Sequence, residues 1–187
     1  MAVSESNLIT HLESPSIVLK VTPDKSLQDT STQDKKKFPE DKQSPPRAPV
    51  ANAAVRSGYY LVSGYAFVRA YDYSDIKAEC ESMVMAFDNA RVSVTDRAAV
   101  KAVDDAQIEA TGSSTVVAGG KAVVRARGDS FVQARGKSII HASGNAKVLA
   151  FPGSTVYASG CARVELMSRE GCRIYLSENA RATVFGE

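Results

Sequence analysis

Histidines, cysteines and paired carboxylates are the side chains through which a chain of this size would do acid–base, nucleophilic or metal chemistry. The sequence holds two histidines, His11 and His141, and three cysteines, Cys80, Cys161 and Cys172. No Cys-x-x-Cys pair of the zinc type occurs, and three widely spaced cysteines do not form a disulfide framework. His141 has Arg125 sixteen residues before it and Tyr157 sixteen residues after it. In a structure that repeats every sixteen residues these three share a column, a small polar surface with neither a nucleophile nor a carboxylate. Asp75, Glu109 and Glu165 are too dispersed to act as an acid–base pair. The expectation is a chain with no catalytic residue, no metal ligand set and no cofactor, and so not an enzyme.

Composition narrows the partners. The net charge is +2 and the pI about 8.4, too near neutral for the strong field that nucleic acid binding requires. Tryptophan is absent and aromatics make up 7 % of the chain, so the core must be built from small residues. No apolar run approaches the ~20 residues of a membrane-spanning helix. No basic segment followed by an apolar stretch marks a signal peptide. The expected location is cytoplasmic, the alternative being secretion without a cleavable signal.

The elements that position these residues are set by a break in composition near residue 50. Six of seven prolines precede it, and Asp24–Pro49 is Ser, Thr, Gln, Lys, Asp and Pro with almost nothing apolar. Such a segment cannot bury enough surface to offset its ordering entropy, so residues 1–55 read as a disordered tail and linker. Within the tail, Ile17–Val21 is short and β-branched, suited to pairing with a sheet edge or docking on a partner.

Residues 56–187 read as a β-solenoid built on an eight-residue repeat. From Gly64 to Met167 the chain divides into thirteen octads. Position three is Ala or Ser in every octad, from Ala66 to Ala162, and position five is Val or Ile in every octad, from Val68 to Val164. Position seven is Ala in eleven of the thirteen, Val94 and Leu166 being the exceptions. Alternating positions share one face of a strand, and the β-branched centre suits a strand. Position one is mostly Gly or Asp, which permits a corner. A short fixed period that buries one face by stacking is the mark of a solenoid. The register runs back to Arg56, with Gly58, Tyr60 and Val62 inward. It slips by two residues after Met167, with Glu170-Gly171 in a bulged corner, then resumes with Cys172, Ile174 and Leu176.

Charge decides how many octads make one turn. At a spacing of sixteen, outward positions pair opposite charges four times (Asp75–Arg91, Glu81–Arg97, Asp105–Lys121, Glu109–Arg125) and like charges twice. At a spacing of twenty-four, like charges meet five times and opposite charges never. Two Ala-Val-Ala faces also fill a thin sandwich, whereas three would enclose a void. Two strands per ~16-residue rung and about eight rungs give a rod roughly 38 Å long at ~4.8 Å per rung.

In that arrangement one sheet carries Phe67, Met83, Met85, Val117, Phe131 and Leu149 outward, a candidate protein-interaction face. The final strand, with Ala180, Ala182, Val184 and Phe185, is a candidate open edge for pairing. Tyr59, Tyr60, Tyr65, Tyr71, Tyr73 and Phe67 are expected to form an aromatic cap at the other end. An ice-binding face would need a regular Thr array, and Thr115 and Thr155 are isolated.

A Pro-rich, Lys-containing tail followed by an uncapped solenoid over Arg56–Glu187 resembles bactofilins, bacterial cytoskeletal proteins that polymerise. That resemblance implies a self-assembling scaffold whose partner is itself or another protein. The Ser- and Thr-rich tail with its β-branched run also looks like the export leader of a bacterial type III effector. A structural rod of a phage or a secretion apparatus is the third expectation.

Overall fold

The computed structural model describes residues 17–19, 51–168 and 170–185. Among them there is no helix, and sixteen strands stack in parallel. The chain opens with β1 (Ile17–Leu19), β2 (Ala51–Val62) and β3 (Ala66–Ala78). β2 and β3 each run round a corner and contribute to both faces of the rod. One face then continues through β4 (Met83–Ala86), β6 (Ala99–Ala102), β8 (Thr115–Ala118), β10 (Phe131–Ala134), β12 (Lys147–Ala150), β14 (Arg163–Leu166) and β16 (Arg181–Val184). The other carries β5 (Arg91–Val94), β7 (Gln107–Ala110), β9 (Val123–Ala126), β11 (Ile139–Ala142), β13 (Thr155–Ala158) and β15 (Arg173–Leu176). This is an all-β solenoid of about eight rungs, two strands to a rung, as the octad and the charge argument require.

Register follows the sequence period. Met83 pairs with Ala99 and Phe131 with Lys147, each sixteen residues on. The central Val/Ile column from Val68 to Val164 is at most 3 % exposed throughout, flanked by Ala and Ser columns that are also buried. Small flanking residues let the two sheets approach closely enough for one layer of Val and Ile to fill the space between them.

Most corners are closed by a three-residue-separated hydrogen bond, such as Ala90 N donating to Phe87 O (3.1 Å), and are tied to the rung before, as in Phe87 N to Ala70 O (2.9 Å). The residue at position one takes a positive φ, whether it is Asp88 (53°), Asp96 (58°), Asp104 (59°) or Gly120 (58°), except at Pro152, where Gly153 takes it instead (96°). Asp tolerates this conformation better than most residues. Gly120 is required on a second ground: a Cβ there would lie 2.6 Å from the backbone nitrogen of Asp104.

The ends depart from the period. Ala51 pairs with Ala66 at an offset of fifteen, whereas Gly58 pairs with Ser74 at sixteen, with the shift between Val55 and Ser57. The first rung therefore starts at Ala51, ahead of Arg56, because this irregularity hides Ala51–Val55 from the octad frame. At the far end Thr155 pairs with Arg173 and Arg163 with Arg181, an offset of eighteen that absorbs the slip after Met167. Gly171 sits in this corner with φ 79°, and its carbonyl accepts from Gly153 N at 2.6 Å. β1 pairs with β2, Ile17 opposite Tyr60 and Leu19 opposite Val62. The rest of the proposed tail, with His11 and the export-leader segment, lies outside the described residues.

No aromatic cap forms among the described residues. Tyr60 turns inward and donates through its hydroxyl to Ser57 O at 2.6 Å, but Tyr59, Tyr65 and Tyr73 are 43, 54 and 78 % exposed. Strand parity separates them, since Tyr59 is outward-facing and Tyr65 and Tyr73 occupy corners.

Candidate interaction surfaces

The column through His141 is the most chemically varied surface of the rod. Its register is Glu109, Arg125, His141, Tyr157, Tyr175 on successive strands, so the column holds a carboxylate after all, Glu109, two rungs from His141. His141 and Tyr157 stack with centroids 5.0 Å apart and planes 9° from parallel, and Tyr157 and Tyr175 repeat this at 4.8 Å and 10°. The rung spacing sets the distance, because one ring per rung brings aromatic faces to their preferred separation. Tyr175 enters only through the two-residue slip and therefore escapes a strict sixteen-residue reading.

Beside this ladder runs a shallow groove of about 640 Å³, whose second wall is Arg127, Ser143, Ser159 and Ser177. It offers hydroxyls, an imidazole and two guanidiniums, one of which, Arg125, is 3.7 Å from Glu109. The ring faces are largely occupied by one another, so the groove presents edges and hydroxyls. It can hydrogen-bond a ligand, but no nucleophile is aligned with a base.

Charge pairs along the rod follow the rungs in part. Arg97 donates to Glu81 at 2.6 Å, and Arg125 lies against Glu109, as the sixteen-residue spacing implies. Arg56 meets Asp72 at 3.8 Å by the same spacing. Asp75–Arg91 and Asp105–Lys121 do not come within 4 Å as ion pairs. Asp75 and Arg91 are in register, but exposed long side chains gain little by fixing one geometry. The Glu81 carboxylate also raises the Tyr65 hydroxyl above its usual 10.0, first by hydrogen bonding and then by charge. Glu79, at 2.8 Å, raises the Lys77 ammonium in the same two ways.

Phe67, Met83, Met85, Val117, Phe131 and Leu149 all project from one sheet, in two columns. Phe67 is opposite Met83, but Met85, Val117 and Leu149 are separated by Lys101 and Gln133. Met83 is 50 % exposed and the others are half-buried. The stripe is thus interrupted by polar side chains at every second rung of one column.

At the last rung β15 and β16 are each paired on one side only among the described residues. Ala180 and Val184 are half-buried, and Ala182 and Phe185 are exposed. Leu176, in an inward column, is 46 % exposed.

Comparison with protein-family models, with curated proteins and with solved structures finds no match to this chain. The bactofilin likeness therefore extends to the architecture, a parallel β-solenoid of about eight turns. Cys80 and Cys161 are exposed at corners and Cys172 is half-buried. No group of three or more His, Cys, Asp or Glu side chains suited to a metal ion occurs among the described residues, and no helix there is long and apolar enough to cross a membrane.

Proposed function

We propose that this chain is a non-enzymatic scaffold whose solenoid associates with further copies of itself or with a protein partner. The observation that carries this reading is the last rung. Inward columns that are at most 9 % exposed at Val156 and Leu166 emerge there as half-buried Ile174 and Val184, beside a 67 % exposed Phe185. A strand edge that is unpaired among the described residues, next to exposed core residues, favours the addition of another strand. The opposite end differs, because β1 already covers the Tyr60–Val62 half of β2. Two copies meeting through their last rungs would bury this edge.

The test is light scattering coupled to size-exclusion chromatography on the full chain, with negative-stain microscopy. Discrete oligomers or filaments support the scaffold, and a Val184→Lys, Phe185→Lys variant should shorten or dissociate them. A monomer at every concentration removes self-association and leaves a heterologous protein partner for the Phe67–Leu149 face.

A further inference from the structure

The rod is electrically two-ended. Residues 51–112 contain nine acidic and six basic side chains, while residues 113–187 contain five acidic and ten basic. The reversal is sharpest along the edge formed by the corners that follow β3's first half, β4, β6, β8 and β10. The first three of these corners carry Asp72, Asp88, Asp104 and Asp105, and the next two carry Lys121, Arg135 and Lys137. Asp72 is held by Arg56, and Asp88 accepts weakly from Asp72 N at 3.5 Å. Arg135 lies over the Phe151 ring at 4.5 Å. Asp104, Asp105, Lys121 and Lys137 are exposed and have no ion-pair partner within 4 Å among the described residues.

We infer that this edge is a self-complementary contact between two copies of the chain lying antiparallel. The inference rests on the self-association reading above and assigns it a second, lateral surface. A two-fold axis crossing the edge between the Asp104-Asp105 corner and the Gly120-Lys121 corner maps acids onto bases. Asp105 then faces Lys121 of the second copy, and Asp88 with Asn89 faces Arg135 with Lys137. One rung further out, Tyr71 and the 78 % exposed Tyr73 meet Phe151 and Pro152. An isologous contact places each such pair twice. Parallel packing of the same edges would set Asp on Asp and Lys on Lys, so the charge order selects the antiparallel arrangement. Six rungs at ~4.8 Å make a contact roughly 29 Å long and narrow, well below the ~800 Å² per partner of a standard interface. The association is accordingly weak and salt-sensitive, and the assay must extend to about 1 mM protein.

Sedimentation equilibrium of the full chain, with circular dichroism to confirm folding, tests the edge through two charge-reversed variants. Lys121→Glu with Lys137→Glu makes the edge acidic, and Asn89→Lys with Asp105→Lys makes it basic. Each variant alone should weaken dimerisation at least about tenfold, and an equimolar mixture should restore a heterodimer, because both opposed pairs are regenerated. For the wild type, raising salt from about 0.1 to 1 M, which shortens the screening length from ~10 to ~3 Å, should weaken the dimer likewise. Association that persists unchanged in both variants and in high salt overturns the edge contact while leaving self-association through the last rung intact. Two monomeric variants that do not recombine also overturn it. A wild type that is monomeric up to about 1 mM overturns both readings.

Discussion

Replacing buried serines by alanine should change stability in opposite directions according to one hydrogen bond. Ser82 and Ser114 occupy equivalent core positions on one face, and both are at most 1 % exposed. The Ser82 hydroxyl donates to the Glu79 carbonyl at 2.8 Å, and Ser154 makes the same bond to Phe151 at 2.7 Å. The hydroxyls of Ser114 and Ser130 have no partner. The methyl group must fit, because Ala98 and Ala146 fill the same column fully buried. An intramolecular hydrogen bond contributes about 1 kcal/mol net, and an unsatisfied buried polar group costs about 1–3 kcal/mol. Ser82→Ala and Ser154→Ala should therefore lose about 1 kcal/mol each, and Ser114→Ala and Ser130→Ala should gain at least about 1 kcal/mol each. With a urea slope of about 2 kcal/mol/M the midpoints move by roughly 0.5 M, down for the first pair and up for the second. The assay is equilibrium urea unfolding followed by circular dichroism, each variant made singly because Ser114 and Ser130 sit on adjacent rungs. A constant slope licenses reading the midpoint as stability. If Ser114→Ala lowers the midpoint as far as Ser82→Ala does, the hydroxyl of Ser114 has a partner in solution and the reasoning fails.

Three further outcomes follow from the same geometry. Gly120→Ala forces a Cβ to within 2.6 Å of Asp104 N at φ 58° and should cost more than about 2 kcal/mol, read as a fall in urea midpoint, whereas Gly119→Ala, whose nearest contact is 3.6 Å, should cost well under half of that. Val132→Ala empties a fully buried site and should cost about 2 kcal/mol, against under about 1 kcal/mol for half-buried Val184→Ala; hydrogen exchange should show the loss centred on the neighbouring rungs in the first case. The raised Tyr65 hydroxyl is stabilised in its neutral form, so any contribution it makes to folding is present below the usual tyrosine range and is lost as pH rises through its folded value. A spectroscopic or NMR titration should find Tyr65 titrating above ordinary tyrosine, and Glu81→Gln should lower that midpoint.

The fold was legible because its physics is periodic. A column that must stay buried on every rung tolerates only Val or Ile at its centre and Ala or Ser beside it, and that restriction is written thirteen times. The rung length was legible because parallel stacking puts residue i directly beside residue i+16, where like charges repel. What escaped was aperiodic. The single-residue offset between Val55 and Ser57 removes Ala51–Val55 from the frame. That Ile17–Leu19 would pair with a sheet edge was legible from its short β-branched run, but its register against Tyr60–Val62 was not, because no repeat announces which edge is free. Tyr175 joined the His141 ladder through the slip after Met167. Asp75–Arg91 shows the limit of register itself, which fixes Cα partners but not where exposed side chains settle. The surfaces were less legible than the fold, since outward positions carry no packing constraint and a contact must be inferred from what stands beside what.

The division of labour inside each octad supports the proposed reading of this rod as an interaction scaffold. Positions three, five and seven are consumed by the core, and position one by the corner, where the backbone of adjacent rungs leaves Gly120 no room for a side chain. The remaining positions project in straight columns, with residues about 4.8 Å apart from rung to rung, and the columns run parallel to one another along the rod. An active site needs side chains that converge on one point, from elements at different angles, in a space closed to water. Parallel columns line a shallow groove at most, as they do beside His141. They can carry information along the axis: a run of stacked rings at His141, Tyr157 and Tyr175, or a sign change between Asp105 and Lys121. Such linear patterns are read by another linear object in register with them, and a second copy of the same rod has the required spacing built in.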